Sequence, residues 1–264
     1  MPIPIRISIA FAAVLSGISA NHGAAQAPAL PFEAGERLRY SVSVGKLGVV
    51  GEGEMSVDGP VEVRGTPALV LRSEMHAKVA FFKNAERAQS WIDPTRMAAL
   101  RFQKQGRGTF SRGSENVELF PEDQRWEDDH GKSGQTPTSA PLDELSFIYY
   151  LRTLPLTSDT CDTFVRHYDP ARNPIAVRVL GRDTLRTRAG TFATIVVEMR
   201  VKDRKRYSGE GTIRLHLSDD AFRYPVRIES AVPVLGTTVL TLESYSRPTQ
   251  RLARGTERQP SADP

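Results

Sequence analysis

The sequence predicts a mainly β fold: one antiparallel sheet of roughly ten strands or more, as in open or closed β-barrels, accompanied by a single main helix. Three observations predict it. Apolar and polar side chains alternate with period two along much of the chain, polar or glycine-containing turns separate the alternating segments, and one segment alone switches to helical spacing.

The N-terminus is set aside first. Arg6 supplies a positive charge, residues 7–18 contain no charged side chain, and Gly23-Ala24-Ala25-Gln26-Ala27 offers small-residue cleavage sites. That order of charge, short apolar run and small residues is an export signal, so residues 1–27 are excluded from the fold. The apolar run is too short to span a bilayer as a helix. No cysteine follows the signal, which argues against a lipoprotein anchor. Residues 28–246 are expected to form one β domain.

The first strand is carried by Leu38, Tyr40, Val42 and Val44, which alternate with Arg37, Arg39, Ser41 and Ser43. Further strands are expected over 49–57, 68–75, 85–91, 98–103 and 115–120. Residues 127–138, rich in charge, Gly and Pro, read as a long mobile loop dividing the chain into two strand-rich halves. Leu142, Leu145, Ile148, Tyr149 and Leu151 then recur at helical spacing. Ser139, Pro141, Asp143 and Glu144 mark the helix start, because carboxylates there offset exposed amides, and the helix should end near Thr153. Strands resume over 163–168 and 176–180. Ile195, Val197, Met199 and Val201 pair with Ile213, Leu215 and Leu217 as a hairpin whose tip is 203–211, and strands over 225–230 and 238–245 close the domain. Residues 247–264, with four arginines, three prolines and few large apolar side chains, read as a disordered tail.

Charge and cysteine content exclude several classes. The formal net charge is +4, but Arg6 belongs to the signal and two more net charges to the tail, leaving a nearly neutral body. That is not the footprint of a nucleic-acid binder. Cys161 is the single cysteine, so no internal disulfide forms, and the neighbouring Asp159 and Asp162 make it a poor nucleophile.

Motifs for chemistry are sparse. His22, His76, His130, His167 and His216 lack zinc-site spacing, and neither a nucleophile elbow nor a phosphate loop occurs. The densest constellation is Ser218-Asp219-Asp220 with Arg223 and Pro225. Paired carboxylates can hold a cation or share a proton, but Ser and Asp also bond turn amides, and the turn reading is favoured. Gly51 and Gly53 share a strand face with Met55; they mark either a concavity for an apolar ligand or a bend, with the bend favoured. Two basic clusters, Lys202, Arg204, Lys205 and Arg206 and then Arg101, Lys104, Arg107 and Arg112, read as solvated loop charge in preference to a membrane-facing patch.

The chain resembles the DUF3108 family of exported bacterial proteins. The resemblance rests on the segment Phe32 to Tyr40 (FEAGERLRY), on Asp143-Glu144-Leu145-Ser146 followed by Tyr149 to Leu156, on Ala189-Gly190-Thr191-Phe192, and on Ser218-Asp219-Asp220 with Arg223, Pro225 and Val226. His216 stands where the pattern leads one to expect tryptophan. The resemblance implies a curved antiparallel sheet or half-open β-barrel wrapping around one main helix, similar to periplasmic lipoprotein-carrier or YmcC-like folds, and it implies no known activity.

The expected function is accordingly a non-enzymatic periplasmic protein holding an apolar or lipid-like ligand. Its lining would be Leu38, Tyr40, Val42, Gly51, Gly53, Met55, Leu145, Ile148 and Tyr149. The alternative is an envelope interaction or assembly module with a filled core that binds a protein or polysaccharide. A third and disfavoured reading is a hydrolase or metal-dependent enzyme at Asp219 and Asp220. No cofactor, metal, nucleic-acid partner or transmembrane segment after processing is expected.

Overall fold

The computed structural model describes residues 30–79, 82–108, 113–203, 209–232 and 236–248. The expected export signal lies outside them, as do Arg112, the hairpin-tip residues Arg204, Lys205 and Arg206, and all of the expected tail beyond residue 248.

The alternating segments form strands β1 (Arg37–Val44), β2 (Val49–Val63), β3 (Thr66–Val79), β4 (Phe82–Asp93), β5 (Ala98–Gly108), β6 (Gly113–Phe120), β7 (Arg125–Asp128) and β8 (Ser133–Gln135). Helix α1 (Glu144–Thr153) follows, and then β9 (Cys161–Phe164), β10 (Ile175–Thr187), β11 (Gly190–Asp203), β12 (Gly209–Ser218), β13 (Pro225–Val232) and β14 (Gly236–Ser246). All belong to one antiparallel sheet in the order β8-β7-β6-β5-β4-β3-β2-β1-β14-β13-β12-β11-β10-β9. Each half is therefore an up-and-down meander. The last strand returns to pair with the first, Val42 opposite Leu240 and Leu38 opposite Tyr245.

Alternation fixes which side is inside. Leu38, Tyr40 and Val42 are buried while Arg39 is exposed, and the same holds for Ile195, Val197 and Met199 against Arg200. Register shifts at Arg39/Tyr40, Val42/Ser43, Asp58/Val61, Trp91/Ile92 and His216/Leu217 add local bends to a sheet that would otherwise stay flatter.

Helix α1 is buried along most of its surface: Leu145, Ser146, Phe147, Tyr149, Leu151 and Arg152 are all inside. A helix with so little exposed face belongs in an interior, and the sheet supplies one by packing β3 and β4 against it. Asp143 caps its N-terminus by accepting from the amides of Leu145 and Ser146, while the Ser146 hydroxyl accepts from the Asp143 amide.

The expected long loop over 127–138 is instead partly ordered. Strands β7 and β8 form a short hairpin there, because the Asp128 carboxylate accepts from the amides of His130 and Lys132 and so builds the turn from its own side chain. The two residues before Asp143, the helix cap, then tie the halves together. Pro141 accepts from the Ala99 amide of β5, and Leu142 exchanges backbone bonds with Arg166 and Tyr168 from beyond β9.

Candidate functional site

The three main segments carrying the family resemblance converge on one point. The Arg152 guanidinium from α1 forms a two-pronged ion pair with Glu36, Nη1 to Oε1 at 2.7 Å and Nη2 to Oε2 at 2.8 Å, and both side chains are 0 % exposed. The same Nη2 also reaches the carbonyls of Pro31 and Phe222, both at 3.0 Å, and Nε donates to the Phe222 carbonyl at 3.3 Å. The rings of Phe32, Tyr149 and Tyr224 surround it. Burial works against the guanidinium charge, and Glu36 more than offsets this, raising the Arg152 pKa. The guanidinium is bonded on all three of its nitrogens, while the buried Tyr224 hydroxyl beside it has no hydrogen-bond partner among the described residues; the arrangement is a clasp among the N-terminal segment, the helix and the turn after β12.

That turn uses up its own carboxylates. Asp220 accepts from the Ser218 hydroxyl and from the amides of Phe222 and Arg223, while Asp219 pairs with Arg182 at 2.8 Å and with Arg223 at 3.3 Å. Arg182, and then Arg223, hold the Asp219 carboxyl below its ordinary range. The Ser218 hydroxyl accepts from the Tyr224 amide, and Pro225 opens β13 with its carbonyl accepting from the Tyr40 hydroxyl. The five residues thus form a bonded turn at the end of a strand pair.

A further charged group surrounds the start of the helix. Glu144 pairs with Lys104 at 2.6 Å and Arg172 at 2.8 Å, and His167 stands 3.9 Å away. Burial pushes the Glu144 carboxyl up, but Lys104, His167 and Arg172 together hold it well below the usual carboxylate range. One expected basic cluster is thereby dissolved. Lys104 is bound to Glu144, and Arg101 is bound to Glu118.

The residues proposed from sequence as a ligand lining are placed in the interior. Leu38, Tyr40, Val42, Met55, Leu145 and Tyr149 are none more than 4 % exposed, and Ile148 packs against the same core half-buried. Phe32 meets Tyr149 edge-on at 5.0 Å, and the Tyr149 hydroxyl donates to the Ser56 carbonyl. At Gly53 a Cβ would stand 3.3 Å from the Glu74 carbonyl oxygen and in van der Waals contact with Val42 and Leu240, both at 3.7 Å, which leaves no open concavity there. At Gly51 a Cβ would lie 1.9 Å from the His76 carbonyl oxygen, so β3 approaches too closely for any side chain there.

A hollow of about 580 Å³ opens where β2 to β5 run toward their hairpin ends. Val49, Val50, Gly51, Ala77 and Ala85 supply its apolar wall; Lys78, Lys83, Arg107, His76, Asn84 and Glu52 supply the rest. Of the predicted lining only Gly51 reaches it. Sequence reading singled out Gly51 and Arg107 but did not bring them together, because the cations come from three separate strands and Val49 and Val50 sit beside Gly48 and Gly51. The available signal was the lack of acidic neighbours in Ala77-Lys78-Val79 and Phe82-Lys83-Asn84.

A long antiparallel meander, open at both edges and packed over one enclosed helix, defines a β-barrel-like protein. The chain belongs to the DUF3108 family, described as a protein of unknown function, whose pattern matches residues 39–243. No curated protein matches it. Among solved structures it is similar to a β-barrel-like protein of the DUF1849 domain from Brucella abortus, with 9 % identity and a TM-score of 0.58 over 80 % of this chain and 96 % of that one. It is also similar to a Bacteroides fragilis protein described as exported, with a YmcC-like fold, at 13 % identity and a TM-score of 0.39 over 83 % and 98 %. The first of these likenesses supports the fold; the second is too distant to add to it. No helix among the described residues is long and apolar enough to cross a membrane.

Proposed function

We propose that the protein is a non-enzymatic component of the bacterial cell envelope that acts as an interaction module, with a structural interior and a functional surface. The observation that carries this reading is the burial of Leu38, Tyr40, Met55, Leu145 and Tyr149 in one continuous core, where a ligand cavity would need open volume. Export rests on the N-terminal charge, apolar run and small residues. The engagement of Asp219 and Asp220 in turn bonds speaks against a catalytic pair there.

A second reading keeps the apolar ligand but moves it. The hollow bounded by Val49, Val50, Ala77 and Ala85 has about 580 Å³, within the range of about 300–1,000 Å³ usual for ligand pockets, and its cations would suit the head of an acyl chain. Organic extraction of the purified mature chain followed by mass spectrometry decides between them. The interaction-module reading expects no lipid at one per chain and no uptake of a fluorescent fatty acid. A lipid recovered at one per chain rejects it in favour of the second.

A further inference from the structure

Most arginines on the strands have acidic partners: Arg72 pairs with Asp58, Arg87 with Glu74, Arg101 with Glu118 and Arg214 with Glu198. At the hollow this rule fails. Lys46, Lys78, Lys83 and Arg107 are all exposed, and none has a carboxylate partner among the described residues. Lys78 and Lys83 moreover stand directly opposite each other across β3 and β4. Like charges in that position repel and cost stability, a cost that an anion from outside would offset. Glu52 is the single acidic side chain of the lining, and it lies opposite His76.

Beside these cations stand the two most exposed large apolar side chains of the described surface. Val49, 70 % exposed, lines the hollow, and Leu47, 62 % exposed, occupies the tight turn Gly45–Leu47 that leads into it together with Lys46. Two protruding apolar side chains on a hairpin turn are too little for a stable protein interface, which needs on the order of 1,200 Å² of buried surface. They suit shallow insertion among lipid acyl chains, with cations at headgroup level. Exposed cations also favour a surface over a small soluble anion, since an enclosed anion site would hold them desolvated.

We propose that this end of the sheet is a docking surface for an anionic phospholipid bilayer: Leu47 and Val49 enter the interface while Lys46, Lys78, Lys83 and Arg107 meet lipid phosphates. The assignment rests on the interaction-module reading and names its partner.

Vesicle flotation of the mature chain tests it. The protein should float with vesicles of phosphatidylcholine and phosphatidylglycerol, much less with phosphatidylcholine alone, and the difference should shrink as salt is added. Neutralising Lys78→Gln, Lys83→Gln and Arg107→Gln together should weaken partitioning on the order of 100-fold, at about 1 kcal/mol per charge. Replacing Leu47→Ser with Val49→Ser should weaken it on the order of tenfold and leave the salt dependence intact. All five positions are at the exposed end, so thermal melts that are not lowered serve as the folding control, and the charge substitutions should raise the melt slightly by relieving the Lys78–Lys83 repulsion. Absence of flotation, equal flotation on neutral vesicles, or indifference to the charge substitutions overturns the proposal. Binding to a polyanionic polysaccharide or acidic protein without vesicle binding also overturns it while leaving the interaction-module reading standing. That broader reading fails separately, through lipid extracted at one per chain.

Discussion

The carboxyl of Asp143 is fully buried and bonded through both oxygens, Oδ1 to two helix amides and Oδ2 to the Ser90 hydroxyl at 2.5 Å. Burial pushes its pKa up from 3.8 to about 6, and the bonds from Ser90 and Ser146 restrain the rise. Because the folded value exceeds the unfolded one, the folded protein binds this proton more tightly. The stability it contributes is fully present below about pH 4 and is lost as pH rises through about 6, a span worth up to about 3 kcal/mol. His216 works in the opposite sense: burial lowers its pKa below 6.5, so its contribution is lost as pH falls. Comparing a variant with the parent isolates the Asp143 part. Asp143→Asn keeps the cap acceptor and cannot ionise, so it should equal or exceed the parent in stability at neutral pH and lose the dependence between pH 4 and 6. Asp143→Ala should lose about 1–2 kcal/mol through the missing cap. Urea midpoints across that pH range check both; an Asn variant that retains the parent's slope excludes Asp143 as the responsible group.

Among elements, the helix was the most legible in sequence and its anchoring the least. The spacing of Leu142, Leu145, Tyr149 and Leu151 and the carboxylates at its start give a helix ending near Thr153, and α1 spans Glu144–Thr153. Arg152 gave no comparable sign, since one arginine in a last turn reads as a solvated charge beside the helix C-terminus. Its partner Glu36 is 116 residues away in sequence, and no periodicity reports a pairing of that range. The β7–β8 hairpin escaped for a related reason: Arg125-Trp126-Glu127-Asp128 lacks apolar alternation, and its strand state comes from pairing with β6. The clasp predicts a specific pattern of stability. Arg152→Met leaves Glu36 as a buried, unpaired charge and should cost about 3–5 kcal/mol. Adding Glu36→Leu removes that charge and should recover much of the loss. A double variant no more stable than Arg152→Met would show that the carbonyl bonds to Pro31 and Phe222, and not the ion pair, hold the helix end.

At the scale of the molecule, local alternation predicted the two runs of hairpins and the inward face of each strand. It carried no information on the β1–β14 pairing that joins them, because strands at opposite ends of the chain share no local signal. Nor does alternation distinguish a filled interior from a hollow one: Leu38 and Tyr40 face inward in both cases, and the enclosed helix decides what fills the space. The same topology determines how the protein should unfold. The main core draws Leu71, Ile92 and Phe102 from the first half, Val197, Leu215 and Val226 from the second, and Tyr149 from the helix into one cluster. Residues 141–142 bond to both halves, and Arg166 adds side-chain bonds to the carbonyls of Met97 and Ala140. Neither half can melt without exposing the apolar face of the other, so a single cooperative transition in urea is expected. Trp91 and Trp126 both lie on strands of the first half, β4 and β7, with Trp126 edge-on to Tyr168 of the second, so their fluorescence reports the first half and its seam with the second, whereas far-ultraviolet circular dichroism reports the strands of both. The two unfolding curves should therefore coincide in midpoint and slope. A fluorescence transition displaced from the dichroism transition would mean that the meanders unfold as separate units, and that the contacts across β1, β14 and the helix are weaker than their burial implies.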